Sequence, residues 1–395
     1  MRRRDFLLGT AAVSIAGARE GGPGIVLVVA PTWRAQALPS ESHAAVDAPN
    51  LARLAKEGAI FERCYAANPE RAPSLASLFT GMWPHAVNVP RNGAALPTGL
   101  PALAPMLSGA GYRTGFFGDW SLGKSARDHG FHEAGDAAAA GPAVEFLRAN
   151  KARPFLVCWS PPMAASGPGA DAERLEAPPN VPSARGAEAR AGMAGHYARY
   201  AAIDRGLGQL LRALDEEGIA NQTLVLFTSD HGGMMGSQGL EGAGQPFEES
   251  ARTPLVIRYP PLPRAGTRRD MLLSNADLAP TLLGLAGVEV PPEMQGRDLG
   301  NAVFRDGEPP DSVYCQGRLG QPDEWRMVVR GLEKLVVNAK GEPVYHFNLG
   351  QDPHEQLNRI EESALKRNRD ELRARLRHWA GRLGDRTDGS GFRRR

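Results

Sequence analysis

Four short runs of branched and aromatic side chains, residues 25–30, 155–159, 224–228 and 255–257, are apolar at nearly every position. A run with no polar face has to be covered on both sides, which is the signature of a buried, mostly parallel strand. Between these runs lie helical periods. Leu51, Leu54 and Ala55 form one stripe, and Ile203, Leu207, Leu210, Leu211 and Leu214 form another whose spacings keep them on a single helix face. Strands alternating with helices over about three hundred residues imply an α/β fold with helices on both faces of the sheet. In such sheets ligands sit at the carboxyl ends of the strands, which here are Pro31-Thr32 and Asp230-His231.

The remaining segments set the organisation. Residues 164–195 are rich in Ala, Gly, Pro and Ser and read as a long surface loop. Beyond residue 301 the pattern turns to short strands at 325–330, 335–338 and 344–348, with a hairpin turn at Lys340-Gly341, a charged helix over 361–383 and a basic tail at 389–395. The expected division is an export signal at 1–18, an α/β domain at 19–300, a small α+β subdomain at 301–388 and the tail. In the first segment, Arg2, Arg3 and Arg4 precede Asp5 and a small apolar run that ends Ala16-Gly17-Ala18. That order predicts a twin-arginine-like signal peptide cleaved after Ala18, and a periplasmic or extracellular protein. These few residues carry the whole formal charge of +2, so the rest of the chain is neutral. A neutral chain lacks the phosphate-neutralising field that nucleic-acid binding needs. No apolar run approaches the roughly 18 residues of a membrane span. Cys64, Cys158 and Cys315 are too scattered for a disulfide framework or zinc site and read as buried small hydrophobes.

Eight segments in the right order carry a resemblance. They include Ala48-Pro49-Asn50-Leu51, Ala72-Pro73-Ser74-Leu75 with Trp83-Pro84-His85, and Gly111-Tyr112-Arg113-Thr114-Gly115. Further on come Thr228-Ser229-Asp230-His231-Gly232-Gly233, Phe247-Glu248-Glu249, Asp277-Leu278-Ala279-Pro280-Thr281 and Tyr345-His346-Phe347-Asn348-Leu349. Over nearly its whole length the sequence resembles the sulfatases of the alkaline phosphatase superfamily. The resemblance implies an alkaline-phosphatase-like α/β sandwich with a mixed, mostly parallel central sheet and a small C-terminal α+β subdomain. It also implies a sulfuric ester hydrolase with a formylglycine nucleophile and a hard divalent cation such as calcium.

The chemistry-bearing positions depart from that pattern. The nucleophile opens a C/S-x-P-S-R motif, but here the first position is Arg71 and the last is Leu75, and arginine cannot become an aldehyde hydrate. The resemblance implies four oxygen-bearing ligands for the cation, two from an Asp-Asp pair ending the first strand and two from an Asp-Asn or Asp-His pair ending a later one. The second pair is present as Asp230 and His231, whereas the first has become Pro31 and Thr32. The family's Lys and His in a G-K-W-x-x-G-type stretch are replaced by Asp119 and Ser121, another family His by Pro162, and a further Lys by Ala243. Glu248 and Glu249 read as turn and salt-bridge residues, and Ser74 and Thr80 as helix-capping and packing groups rather than nucleophiles.

The expected site is therefore vestigial. No catalytic residue is assigned within the pocket of Arg71, Ser74, Asp119 and Ser121; Asp230 and His231 are the remnant metal pair, and Arg71 and Asp119 the binding pair. No cofactor is expected, with calcium as the outside alternative. A guanidinium brought into this space needs an anion, so Arg71 should pair with Asp119 or Asp230. The functional expectation is an impaired or inactive sulfatase-fold protein that binds a ligand, for instance a sulfated or anionic glycan or ester. The alternative is a working sulfuric or phosphoric ester hydrolase with a non-standard site.

Overall fold

The computed structural model describes residues 22–38, 46–163, 171–260, 265–305 and 307–385. The expected signal at 1–18 and the basic tail at 389–395 lie outside them. The strands of the larger sheet are β1 (Gly24–Ala30), β2 (Ala59–Tyr65), β3 (Arg113–Gly118), β4 (Glu133–Gly135), β5 (Phe155–Ser160), β6 (Thr223–Ser229), β7 (Arg252–Thr253), β8 (Leu255–Arg258) and β9 (Thr267–Ser274). They lie in the order β4-β3-β5-β1-β6-β8-β2-β7, and β9 also pairs with β2. The run from β4 to β6 is parallel. The short returning segments β7 and β8 run antiparallel to their neighbours, which makes the sheet mixed but mostly parallel.

Strand β1 shows why the apolar runs had to be internal. Ile25, Leu27 and Val29 enter one hydrophobic core, while Val26, Val28 and Ala30 enter the core on the opposite face. Helices α1 (Pro49–Glu57), α4 (Gly141–Asn150) and α5 (Gly186–Glu216) cover the second face. Helices α2 (Arg71–Thr80), α3 (Leu103–Gly109), α7 (Leu278–Leu285) and α8 (Gly300–Phe304) cover the first. The four-residue helix α6 (Glu248–Ala251) leads into β7.

One expectation is corrected here. Residues 164–195 are not one long loop, because α5 begins at Gly186 and its 31 residues absorb the end of that segment. The stretch contains enough alanine to favour helix, and Ala189, Met193, Tyr197 and Tyr200 continue the buried stripe of the leucines further along. The Gly192 and Gly195 positions that suggested a loop are exposed on the outer face, where they cost about 1 kcal/mol each without stopping the helix.

A second, antiparallel sheet holds β10 (Ser312–Gly317), β11 (Trp325–Arg330), β12 (Glu333–Asn338) and β13 (Pro343–Asn348) in sequential order. Helix α9 (Lys366–Leu383) lays Leu372, Leu376, Trp379 and Leu383 against Tyr314, Val328, Leu335 and Val337. The other face packs on Tyr65, Ala251 and Leu272 of the larger unit. The hairpin turn forms as expected, with Gly341 at a positive φ of 74° between β12 and β13. Among the described residues no helix is long and apolar enough to cross a membrane, and the three cysteines are buried and free.

Candidate functional site

The carboxyl ends of β1, β3, β5 and β6 converge, as open parallel sheets require. They deliver Thr32, Asp119, Ser160 and Asp230 to one place. Helix α2 enters this space with its amino terminus, and its first residue is Arg71. An unneutralised cation there opposes the helix dipole at a cost of about 0.3–1 kcal/mol, so its acceptors decide whether the arrangement is stable.

Those acceptors are numerous. Arg71 Nη1 donates to Asp230 Oδ2 at 2.6 Å. Nη2 donates to the Asp119 carbonyl at 2.9 Å and to Ser160 Oγ at 3.3 Å. Nε is shared between Ser121 Oγ at 2.9 Å and Asp119 Oδ2 at 3.1 Å. A guanidinium has five N–H bonds, so one bond of Nη1 is left for anything else. The side chain is 11% exposed, Asp230 is 0% exposed and Asp119 is 37% exposed. The Asp230 pair is therefore a buried ion pair, whereas the Asp119 pair is partly screened.

Asp230 is held from every side. Its Oδ1 accepts the backbone N–H of Thr32 and of His231, both at 2.8 Å, while Oδ2 faces Arg71. Burial by itself pushes this carboxyl up, but the neighbouring His231 and Arg71, with the Thr32 N–H, outweigh burial and hold it below the usual value. His231 turns Nδ1 to the Gly232 carbonyl at 2.6 Å, and its Nε2 is 4.0 Å from Asp230 Oδ2. Thr32 reaches Asp230 only by adopting a left-handed φ of 54°. Its carbonyl accepts from the Tyr200 hydroxyl at 2.6 Å.

The loop that carries Asp119 is equally constrained. Gly118 has a φ of 126°, and a Cβ there would meet the Ser160 carbonyl oxygen at 1.9 Å, so only glycine lets the loop cross the end of β5. Asp119 N then donates to that carbonyl at 2.8 Å. Ser121, also left-handed at φ 51°, donates from Oγ to Asp119 Oδ1 at 2.7 Å.

The hydroxyls on α2 are occupied. Ser74 does not cap its own helix as expected; it donates to the Asp230 carbonyl and accepts from Asn275 Nδ2 at 2.8 Å. Ser74 is the fourth residue of α2, inside the helix and not at its cap, and its buried hydroxyl meets the end of β6. Thr80, near the other end of α2, bonds back to the Ala76 carbonyl at 2.6 Å. The first turn is instead served by Asn92 Oδ1, which accepts from Ala72 N at 2.9 Å. Glu248 is a buried salt-bridge residue, 3.1 Å from Lys334 and 3.2 Å from Arg252. Glu249 accepts from Asn180 at 2.7 Å.

The structure thus places Arg71, Asp119, Ser121 and Asp230 in one hydrogen-bonded cluster, with Ser74 and His231 against it. Ser160, Asn92 and Asn275 were not singled out from sequence. Ser160 could have been, since it directly follows the strand expected at 155–159, on the site's edge of the sheet; the two asparagines carry no sequence signal.

Known proteins share this architecture. The family model described as Sulfatase matches residues 23–154 and 132–288. An ulvan-active sulfatase of Formosa agariphila is 26% identical over 92% of this chain and 82% of its own. Among solved structures, a protein in complex with its substrate D-glucosamine-2-N,6-O-disulfate superposes with a TM-score of 0.83 at 21% identity, covering 93% of this chain and 99% of that one. A phosphonate monoester hydrolase of Agrobacterium radiobacter superposes with a TM-score of 0.75 at 22% identity, over 91% and 96%. At such identities the likeness of the structures is a likeness of fold.

Proposed function

This chain belongs to the sulfatase family, and from that premise we propose that it is a non-catalytic member, a protein that keeps the family's cleft to bind a saccharide without hydrolysing it. The observation that carries the reading is the Arg71 guanidinium at the nucleophile position, bonded at 2.6 Å to the one carboxylate left from the metal site. A divalent cation does not fit this donor set. Both oxygens of Asp230 already accept hydrogen bonds, a unit positive charge lies against one of them, and Pro31 and Thr32 supply no carboxylate. Among the described residues no group of three or more His, Cys, Asp or Glu could hold a metal ion. Ser74, the hydroxyl nearest in sequence to the old nucleophile position, gives its proton to the Asp230 carbonyl and accepts from Asn275. Ser74 is therefore not poised to attack sulfur, and the guanidinium at position 71 supplies no nucleophile in its place.

The Arg-rich start with its Ala16-Gly17-Ala18 site supports an exported, periplasmic or extracellular setting. The test is turnover of aryl sulfate, aryl phosphate and aryl phosphonate by the purified chain with calcium and with magnesium, alongside metal analysis. The expected result is no turnover above background and no stoichiometric divalent metal. Multiple turnover abolished by Asp230→Asn would overturn the proposal. The variant Pro31→Asp, Thr32→Asp, Arg71→Cys is expected to regain calcium binding, readable by calorimetry without any activity.

A further inference from the structure

The neutrality of the chain beyond residue 18 is a balance between two very unequal parts. Residues 19–365 carry 32 basic and 39 acidic side chains, whereas residues 366–395 carry 11 basic and 4 acidic, so a net −7 is offset by a net +7 held in thirty positions. Most of that positive charge stands on α9, which sets seven Lys and Arg against Asp370 and Glu371. We propose that the outer face of α9 is a docking surface for a membrane leaflet rich in anionic phospholipid, whatever the cleft does.

The helix buries its apolar side, Leu372, Leu376, Trp379 and Leu383, against the small sheet. The outward surface is charged in an order that works against helix stability. Its first turn holds Lys366 and Arg367 and no acid, although a helix amino terminus favours carboxylates. Lys366, Arg369, Arg373 and Arg377 follow at spacings of three, four and four, which lines them up on one side over about 16 Å, and like charges at such spacings repel. Arg369 Nη1 donates to the Glu362 carbonyl at 2.7 Å and Arg373 Nη2 to the Gly341 carbonyl at 3.5 Å. Carbonyls orient these guanidinium groups without cancelling their charge. The nearby carboxylates serve other members of the helix: Glu371 is 3.2 Å from Arg367, and Asp311 pairs with Arg375. Lys366 and Arg377 are exposed. Beyond Asp385 the sequence extends the excess with Arg386, Arg393, Arg394 and Arg395 against Asp388.

The form of this array chooses among anionic partners. Trp379 is 4% exposed and lies against the guanidinium groups of Arg297 and Arg382, 5.2 and 4.9 Å from its ring, so it is not offered for stacking a nucleic-acid base. A row of cations along the outside of a helix meets a planar anionic surface along its whole length, and each one within a Debye length adds to the attraction. Such a surface also orients a molecule whose charge is segregated, with α9 toward the headgroups and the net-negative remainder away from them.

The experiment cosediments the full chain with vesicles of phosphatidylcholine alone and with about 30% phosphatidylglycerol, at about 50 and about 300 mM NaCl. Saturable binding to the anionic vesicles at the lower salt, strongly weakened at the higher, is expected, with none to phosphatidylcholine. Lys366→Glu/Arg373→Glu/Arg377→Glu should weaken binding by at least about tenfold, since each cation near the surface contributes about fivefold. Lys366→Gln/Arg377→Gln, which only neutralises two exposed positions, should weaken it by about fivefold or more. Arg153→Glu/Arg205→Glu/Arg212→Glu makes the same change in net charge at exposed positions on the side of α4 and α5, and should stay within about twofold of the parent because distant charges are screened. Thermal midpoints verify that the variants are folded. No binding to the anionic vesicles, equal binding to the neutral ones, or equal losses in the two triple variants would each overturn the inference. Tighter binding of duplex DNA than of anionic vesicles at the same salt would overturn it as well, by assigning the face to a different polyanion.

Discussion

Replacing Arg71 by methionine removes the counter-charge from a carboxylate that is 0% exposed. Breaking a buried pair from one side costs about 3–5 kcal/mol, because the partner stays charged and buried. Three corrections apply. Asp230 keeps the backbone donors of Thr32 and His231, and relieving a cation at the start of α2 returns about 0.3–1 kcal/mol. The lost contact with Asp119, 37% exposed, adds less than about 1 kcal/mol. The expected cost of Arg71→Met is therefore about 3 kcal/mol. In Arg71→Met/Asp230→Asn the stranded charge is gone while the Asn oxygen can still accept both N–H groups, so the double variant should lie within about 1 kcal/mol of the parent. Urea unfolding at pH 7, followed by fluorescence and circular dichroism to verify a common transition, should then give a coupling energy of at least about 2 kcal/mol. The pH dependence has a fixed sign. Asp230 is held below its ordinary value in the folded state, so the stabilisation is present above the unfolded carboxyl value near about 3.9 and is lost as pH falls through the lower folded one. The gap between parent and Arg71→Met should stay level from about pH 5 to 8 and close in more acidic solution. A cost under about 1 kcal/mol, or additivity of the two substitutions within about 0.5 kcal/mol, would refute the reasoning.

Three further outcomes follow from the same physics. Lys334 in β12 is 0% exposed and bonds Glu355 at 2.7 Å and Glu248 at 3.1 Å; burial pulls its ammonium down, but the two carboxylates outweigh that and raise it. Lys334→Met should cost about 3–5 kcal/mol in urea unfolding, and adding Glu248→Gln and Glu355→Gln should recover most of the loss. For His196, burial, then Arg199, Arg34 and His231, lowers the imidazole to about 3. Its unfolded value near about 6.5 is the higher one, so stability should decline as pH falls below that value, by up to about 2 kcal/mol at pH 5, and His196→Gln should flatten the profile measured by thermal unfolding across pH 5–7. Thr32 is a β-branched residue at φ 54°, so Thr32→Gly should keep the N–H bond to Asp230 and raise stability by about 0.5–1 kcal/mol in urea titrations.

The chain's local pattern determined a good deal by itself. Residues 25–30 are apolar on both faces, which admits few positions other than the middle of a covered sheet, and β1 has strands on either side. The same pattern placed Pro31, Thr32, Asp230 and His231 at strand ends, and with them the edge of the sheet where the site lies. Residue identity at position 71 was enough to predict a guanidinium in need of an anion. Tertiary structure decided which anion and with what help: positions 71, 119, 160 and 230 are brought together by crossovers, and Arg71 is shared among a buried carboxylate, a half-exposed one, a carbonyl and two serine hydroxyls. It also decided that Ser74 turns to a strand-end carbonyl and that the glycine-containing start of α5 is helical, since both depend on what lies opposite in space. Sequence periodicity records which side of an element is buried. The partner a buried polar group meets there is fixed by the packing of segments distant along the chain, and that is where the chemistry of this pocket is set.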